Sequence, residues 1–587
     1  MAAVVEPPST AAMTAANALL RVSSPPNLLG AILGVAVLVH LVFKKTETHE
    51  PWALLGLLIA LPTALAVLYA SHCCVGGSYA IAFCTALGLF WTALTCSILV
   101  YRISPIHPLA AYPGPLLCRL SKLRMAYIAL SGKQYLYYQY LHEKYGDVVR
   151  VGPNELSIRD LNATASLHGL PKGTFWEGRV PENERVRPLI ALRDKREHAR
   201  RRRPWTRAFS PGALKSYEHI LLKRCAQLVD VLGSQPQPSP VDLTRWVGYW
   251  SYDVMNDLVF GEGTEMMRDG DVDGLWHLLE GGQKNAIAMG HLPWLGALFL
   301  RLPHFAQELK AFRAHAKRCA LRRMKQGSPH KDLFYYLIDE DGVEKHPPSV
   351  VEVINDGGLA IIAGADTTSS AITNLFCFLL QSPKAYKRLQ TEIDSLGSGE
   401  EVADVSKQAS LSYLNAALNE CLRLLPPVLS GSQRAPEIGS GGAMVGSLFI
   451  PEGTNVFTPT YALHRDPRYF SPLPDTFLPE RWLPPALRES LEPTIFHPSK
   501  PDFGTSSSSF ILNTAAYNPF SLGTGSCIGK GFAWLEMRMV VCLLMHRYDI
   551  RLAEGYNLKQ YMAGTRDYFV TIKAELPVVL TPRRHTH

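Results

Sequence analysis

The stretch Asn518-Pro519-Phe520-Ser521-Leu522-Gly523-Thr524-Gly525-Ser526-Cys527-Ile528-Gly529-Lys530 sets one cysteine in a glycine-rich loop, with a phenylalanine before it and an apolar, helix-like run after it. Gly523, Gly525 and Gly529 permit tight turns and close approach of the backbone to a ligand. Backbone N–H groups at the start of the following helix can hold the Cys527 sulfur as a thiolate. A thiolate presented in this way suits haem iron, toward which it pushes electron density. Of the 11 cysteines only Cys527 has such a setting; the others, at irregular spacings, read as buried structural thiols.

Three further constellations lie upstream. Helical spacing from about Val350 to Leu380 carries Ala363-Gly364-Ala365-Asp366-Thr367-Thr368. A threonine hydroxyl there can bond back to the carbonyl four residues earlier, at Ala363, and with Gly364 is expected to open the helix locally. Taken alone, the Asp-Thr pair would read as a helix start. Glu420 and Arg423 stand three apart, so on a helix they share a face and can pair; alone this is an ordinary salt bridge. The run Arg193-Asp194-Lys195-Arg196-Glu197-His198-Ala199-Arg200-Arg201-Arg202-Arg203-Pro204-Trp205-Thr206-Arg207 is basic but interleaved with carboxylates, which disfavours a nucleic-acid patch.

Together these segments resemble the cytochrome P450 family, over roughly Ala110 to Leu580, about four fifths of the chain. The loop matches Phe-x-x-Gly-x-Arg/His-x-Cys-x-Gly, except that Gly525 stands where the family has Arg or His. The resemblance implies haem b as cofactor, Cys527 as axial ligand of its iron, and Phe520, Gly523 and Gly529 as the loop that lies against it. It implies Asp366 and Thr367 as the proton-delivery pair. Glu420 and Arg423, joined by Arg481 from Phe477-Leu478-Pro479-Glu480-Arg481-Trp482, would lock the fold around the haem. The basic run aligns with the family's Trp-x-x-x-Arg helix, with His198 in the tryptophan's place and Arg202 as the arginine, Arg201 and Arg203 being alternates. His198, Arg202 and Arg434 are then the expected partners of the haem propionates. Other cations of the run are expected to offer a docking surface to an acidic electron donor.

At 587 residues with a net charge of +8 spread along the chain, the composition fits one large globular unit plus an attachment, and favours membrane surface or anionic partners over nucleic acid. Irregular cysteine spacing gives neither a disulfide framework nor a zinc signature. The attachment is apolar: Leu28 to Phe43, Trp52 to Ala70 and Tyr79 to Tyr101. Blocks two and three reach the roughly 20 residues that span a bilayer, whereas block one is short and carries His40. Lys44, Lys45 and Arg102 on alternate connections would leave the following domain cytosolic. Domains are therefore expected at 1–27 (tail), 28–103 (membrane region with two to three spans) and 104–587 (catalytic). The fold class expected is mainly α with smaller β-sheets, a P450 fold behind N-terminal transmembrane helices.

A proline-rich segment, His107-Pro108-Leu109 to Ala111-Tyr112-Pro113-Gly114-Pro115, reads as a stiff hinge. The sequon Asn162-Ala163-Thr164 would stay unmodified on a cytosolic domain. Substrate contacts are expected from Lys172 to Pro188, Ala286 to Leu300, Val428 to Ser430, and a tip at Met562 and Ala563. With no Gly-x-Gly-x-x-Gly fingerprint between a strand and a helix, electrons would come from a separate NADPH-cytochrome P450 reductase, with cytochrome b5 as an accessory donor. The Gly152-to-Ser157 segment and the triple apolar N-terminus are similar to fungal P450s of secondary metabolism, tryprostatin-type indole hydroxylases among them. That implies an endoplasmic-reticulum monooxygenase acting on a hydrophobic terpenoid or indole. Desaturation, coupling or rearrangement at the same site, and non-catalytic haem binding, are the competing readings.

Overall fold

The computed structural model describes residues 25–45, 51–73, 78–180, 186–236, 239–261, 264–272, 274–301, 307–327, 330–397, 399–496 and 510–584. Most of the expected tail therefore lies outside the described residues. The chain divides into two compact units, at Tyr112/Pro113.

The first unit holds three apolar helices. They are Pro25–Lys45, a second running from Pro51 to Cys73 through a π-helical stretch at Gly56–Ala60, and Tyr79–Ile103. Stretches of 19, 21 and 25 residues within them are long and apolar enough to cross a membrane, so the first block is longer than its sequence suggested. Ala36, Ala66 and Ala86 are buried between the helices, where small side chains let backbones approach. His40, the polar residue that made block one doubtful, has a partner: its Nδ1 lies 2.7 Å from Ser97 Oγ on the third helix.

The second unit is mainly helical with small sheets, the class expected. Its axis is the 31-residue helix Val350–Leu380, which begins with a reciprocal cap: Glu352 N–H donates to Ser349 Oγ (3.3 Å), and Glu352 Oε2 accepts from Ser349 N–H (2.6 Å). Helix Leu243–Phe260 packs along it, and Ser251 Oγ donates to Ala365 O at 2.9 Å. Gly364 serves this approach, since a Cβ there would collide with Met255. The local opening expected at Gly364 and Thr367 is not present; the helix runs unbroken through them.

Around this axis stand Lys195–Ala208, Pro211–Gly233, Leu275–His291, Ser412–Leu424 and Lys530–Arg547. A three-stranded sheet pairs Val148–Gly152 antiparallel with Glu155–Ile158, which runs parallel to Asn455–Phe457. A second joins Pro577–Pro582 to Val241–Asp242 and Tyr548–Leu552. The hairpin Arg566–Tyr568/Val570–Ile572 turns on Phe569 alone, at φ +81°. So the hairpin tip is Phe569; the expected tip at Met562 and Ala563 belongs to the helix Leu558–Gly564.

Candidate functional site

The loop before Lys530–Arg547 is held by its own backbone. Cys527 N–H donates to Phe520 O at 2.8 Å, Gly523 takes φ +69°, and a short 3-10 turn covers Gly523–Gly525. Of the three loop glycines only Gly523 needs a left-handed conformation. The Cys527 thiol keeps accessible surface although protein surrounds it, as a group on the wall of an internal space does. Burial pushes its pKa up; the N–H groups of Gly529 and Lys530 and the charges of Arg202 and Lys530 pull the other way. Lys530 Nζ lies 5.7 Å from the Phe520 ring centre.

Gly525 is explained by its neighbour. A Cβ there would stand 2.7 Å from Arg434 Nη2 and 3.0 Å from Nη1, so the guanidinium of Arg434 occupies the space of the missing side chain. Arg434 is buried, and burial lowers its pKa to about 10. Among the described residues its guanidinium makes one hydrogen bond, from Nη1 to Leu170 O at 3.3 Å; Nε and Nη2 are buried without a hydrogen-bond partner. A buried guanidinium in that condition awaits an acceptor.

Arg434 borders a cavity of about 700 Å³, which Lys172, His198, Arg202, Thr524 and Gly525 also line. Lys172, Arg202 and Arg434 form no ion pair among the described residues. Arg202 Nη2 donates to Ser526 O at 2.8 Å, which fixes the residue before Cys527. Burial and the three cations depress His198 to about 4, so at neutral pH it can offer a hydrogen bond but no charge. Lys172, whose pKa burial also drives far down, was not foreseen as a member of this cluster. No motif marks it, and only the β-bridge between Lys172 and Arg434 reveals it. Three cations without counter-charges on a cavity that reaches Thr524 and Gly525 of the Cys527 loop fit the two carboxylates of a porphyrin.

The two alternates, Arg201 and Arg203, lie in different surroundings. Arg201 is buried in an ion pair with Asp356 (2.7 Å) and Glu352 (3.3 Å), while Arg203 is exposed. Much of the basic run is likewise committed: Arg193 to Glu177, Lys195 to Glu437, Arg200 to Glu197, and Arg207 to Asp339, Asp341 and Glu344. A broad docking surface of free cations is therefore absent from its described residues; Arg196 and Arg203 are exposed.

On the central helix, Thr367 Oγ1 donates to Ala363 O at 2.6 Å. Ala363 is exposed and Thr367 half-buried on a helix whose other faces are covered, so this turn borders interior space. Asp366 points into different surroundings. Its carboxylate accepts from Gln283 Nε2, and burial raises its pKa against the opposing charges of Lys573 and Arg179. Asp366 and Thr367 share no side-chain hydrogen bond. Lys573 Nζ in turn donates to Ser369 Oγ at 2.9 Å. Gln283 and Lys573 were invisible to sequence reasoning because they come from distant segments with no local signature.

Glu420, Arg423 and Arg481 do come together. Glu420 Oε1 is 2.7 Å from Arg423 Nη2 and 3.4 Å from Arg481 Nε, and all three side chains are fully buried. Trp482 Nε1 adds a hydrogen bond to Glu420 Oε2 at 2.9 Å, and Arg423 Nη1 reaches the carbonyls of His464 and Pro474. A further buried acid, Glu536, accepts from Thr368 Oγ1 at 2.8 Å. Of the expected substrate segments, residues 181–185 lie outside the described residues.

The family model for cytochrome P450 matches residues 109–576. The chain is 34% identical over 501 residues to cytochrome P450 monooxygenase FCK2 of Fusarium pseudograminearum, covering 84% of this chain and 85% of that protein. It is 33% identical to cytochrome P450 monooxygenase nodW of Hypoxylon pulicicidum, covering 94% and 98%. It is also 33% identical to cytochrome P450 monooxygenase orf5 of Eupenicillium brefeldianum, covering 87% and 98%.

Proposed function

The chain belongs to the cytochrome P450 family, and from that membership we propose that this monooxygenase, anchored by its apolar helices, inserts one oxygen atom from dioxygen into a hydrophobic small molecule. The observation that carries this reading is Arg434, a buried guanidinium with two unpartnered nitrogens, pressed against Gly525 two residues before the Cys527 thiol. It joins the ligand loop to a clamp for carboxylates in one local structure.

A haem-thiolate centre, in our reading haem b, supplies dioxygen activation when bound. Cys527 would hold the iron, and Arg434, Arg202 and Lys172, with His198 as a neutral donor, would hold the propionates. Arg202 also steadies the loop through Ser526 O. Thr367, half-buried where the central helix borders interior space, presents a hydroxyl whose own proton is engaged by Ala363 O; its oxygen is therefore disposed to accept from water. Asp366, buried and held by Gln283 Nε2, with the charge of Lys573 opposing its neutral form, is the proposed proton-delivery acid. Glu420, Arg423 and Arg481 keep the framework in register.

Electrons would come from NADPH through cytochrome P450 reductase, with cytochrome b5 as accessory donor, at the cytosolic face of the endoplasmic reticulum. The substrate is proposed to be a fungal secondary metabolite of terpenoid or indole type. Membranes containing the protein and a reductase, supplied with panels of both classes, should give an NADPH-dependent gain of one oxygen by mass spectrometry. Loss of hydrogen or a coupled product would replace oxygen insertion by desaturation or coupling. A haem-thiolate spectrum with NADPH consumption unchanged by every panel member would point to a haem-binding protein.

A further inference from the structure

A second arginine, Arg179, has a buried guanidinium nitrogen without a partner. Arg179 ends the short helix Phe175–Arg179. Its Nη2 reaches Gln283 Oε1 at 3.4 Å, the long end of hydrogen bonding, and its Nη1 is buried with no partner. The guanidinium carbon lies 5.1 Å from the centre of the Phe569 ring. No carboxylate stands within ion-pair distance of Arg179 among the described residues. Asp366 and Asp567 are near enough to favour its charge, but Asp366 is bonded to Gln283 and Asp567 to Ser430, and burial raises the pKa of both acids. Burial lowers Arg179 itself to about 10, so it remains charged at neutral pH.

The surroundings are otherwise apolar and aromatic. Phe569 packs edge-on against Trp176 at 4.8 Å and near Phe175 at 6.1 Å, and it does so from the left-handed backbone conformation that a bulky residue adopts only when its setting demands it. Gln283 links Arg179 directly to Asp366, the neighbour of Thr367. Arg179 is thus a fixed cation in an aromatic setting, one side chain removed from the proposed proton-delivery residues.

We propose that Arg179 is a specificity-determining residue that binds a carboxylate of the substrate, so that the enzyme takes hydrophobic acids. This rests on the monooxygenase reading. A planar guanidinium with an unpartnered Nη1 and a weakly engaged Nη2 matches a carboxylate, and the aromatic rings suit an apolar skeleton beside it.

The test is a spectral and calorimetric titration of the full-length, haem-loaded protein with two matched pairs, abietic acid against its methyl ester and indoleacetic acid against its methyl ester. Wild type should bind at least one acid about tenfold or more tightly than its ester. Arg179→Gln should bring that acid to the ester's affinity, and Arg179→Lys should keep part of the preference. Wild type without preference for either acid overturns the proposal, as does an Arg179→Gln protein that keeps it. The reduced, carbon-monoxide-bound spectrum separates the two levels. If wild type shows no thiolate band, the monooxygenase reading fails first; if the band is present and the acid preference absent, only the role of Arg179 fails. Should Arg179→Gln fail to load haem, the wild-type comparison and Arg179→Lys still decide.

Discussion

At Gly525 the loop before Cys527 has no room for a side chain, because Arg434 fills the place where one would stand. The space of the absent loop side chain is taken by a guanidinium from another segment, one that the family resemblance already assigns to a propionate. Gly525→Arg should drive two like charges together and lower haem retention several-fold, measured as haem per protein after gel filtration. Arg434→Ala should lower it as well. The double variant should recover much of the loss, since the new arginine enters the vacated space, a coupling that a double-mutant cycle measures directly. Better retention in Gly525→Arg alone would show that the two positions are independent. Glu536 gives a second prediction. Burial raises its pKa to about 8, against 4.5 for an ordinary glutamate, while among the described residues Thr368 alone gives it a hydrogen bond and Oε1 has none. A carboxyl with a raised folded-state pKa costs nothing below about 4.5 and destabilises progressively as pH climbs through about 8. Glu536→Gln should therefore match wild type near pH 4.5 and exceed it in thermal midpoint at pH 8. An equal pH slope in the two proteins would refute the buried neutral acid.

Helix Lys195–Ala208 shows why adjacent arginines have unrelated jobs. Successive residues on a helix point about 100° apart, so Arg201 turns into the Val350–Leu380 helix while Arg202 faces the loop of Cys527. Arg201 pairs with Asp356, a buried carboxylate that also receives Leu189 N–H (2.9 Å) and Trp205 Nε1–H (3.4 Å). Arg201→Ala leaves that acid uncompensated and should cost about 3–5 kcal/mol in denaturant unfolding. Asp356→Asn in the same background should restore part of it. Arg202→Ala should instead spare stability and weaken haem retention, so the two variants separate in opposite assays. The family resemblance implied the helix and its alignment to within a residue, but not which arginine faced which partner. That depends on the rotation of one helix against another, which a single basic run does not encode. The same limit hid Gln283 and Lys573 around Asp366: burial next to a motif is a tertiary fact. Gly364 was misread for a related reason, since its space is claimed by Met255 from a neighbouring helix and not by a bend in its own.

Across the whole molecule, the features legible in advance were those written in contiguous residues: the Cys527 loop, the long central helix, the Glu420 and Arg423 pair on one face, and three apolar blocks. The boundaries between units were less so, because the Tyr112/Pro113 division falls inside a proline-rich run with no single marker. The number of spans makes a topological difference that can be measured. Lys44 and Lys45 follow the first apolar helix and Arg102 ends the third, while Ser71 to Ser78 carries no acidic or basic charge apart from titratable His72. Three spans put both basic connections and the P450 unit on one side and the N-terminus on the other, the arrangement that positive charge favours. With two spans, the N-terminus would share the side of the P450 unit. Pro8→Asn completes a glycosylation sequon with Ser9 and Thr10, well ahead of the first helix. In microsomes this variant should gain endoglycosidase-sensitive mass while natural Asn162, on the second unit, gains none. The pairing of His40 with Ser97 supports insertion of the first helix, because a buried polar residue in a span finds its partner on a neighbouring one. An unglycosylated Pro8→Asn protein, in microsomes that modify a control substrate, would place the N-terminus on the cytosolic side and take the first helix out of the membrane.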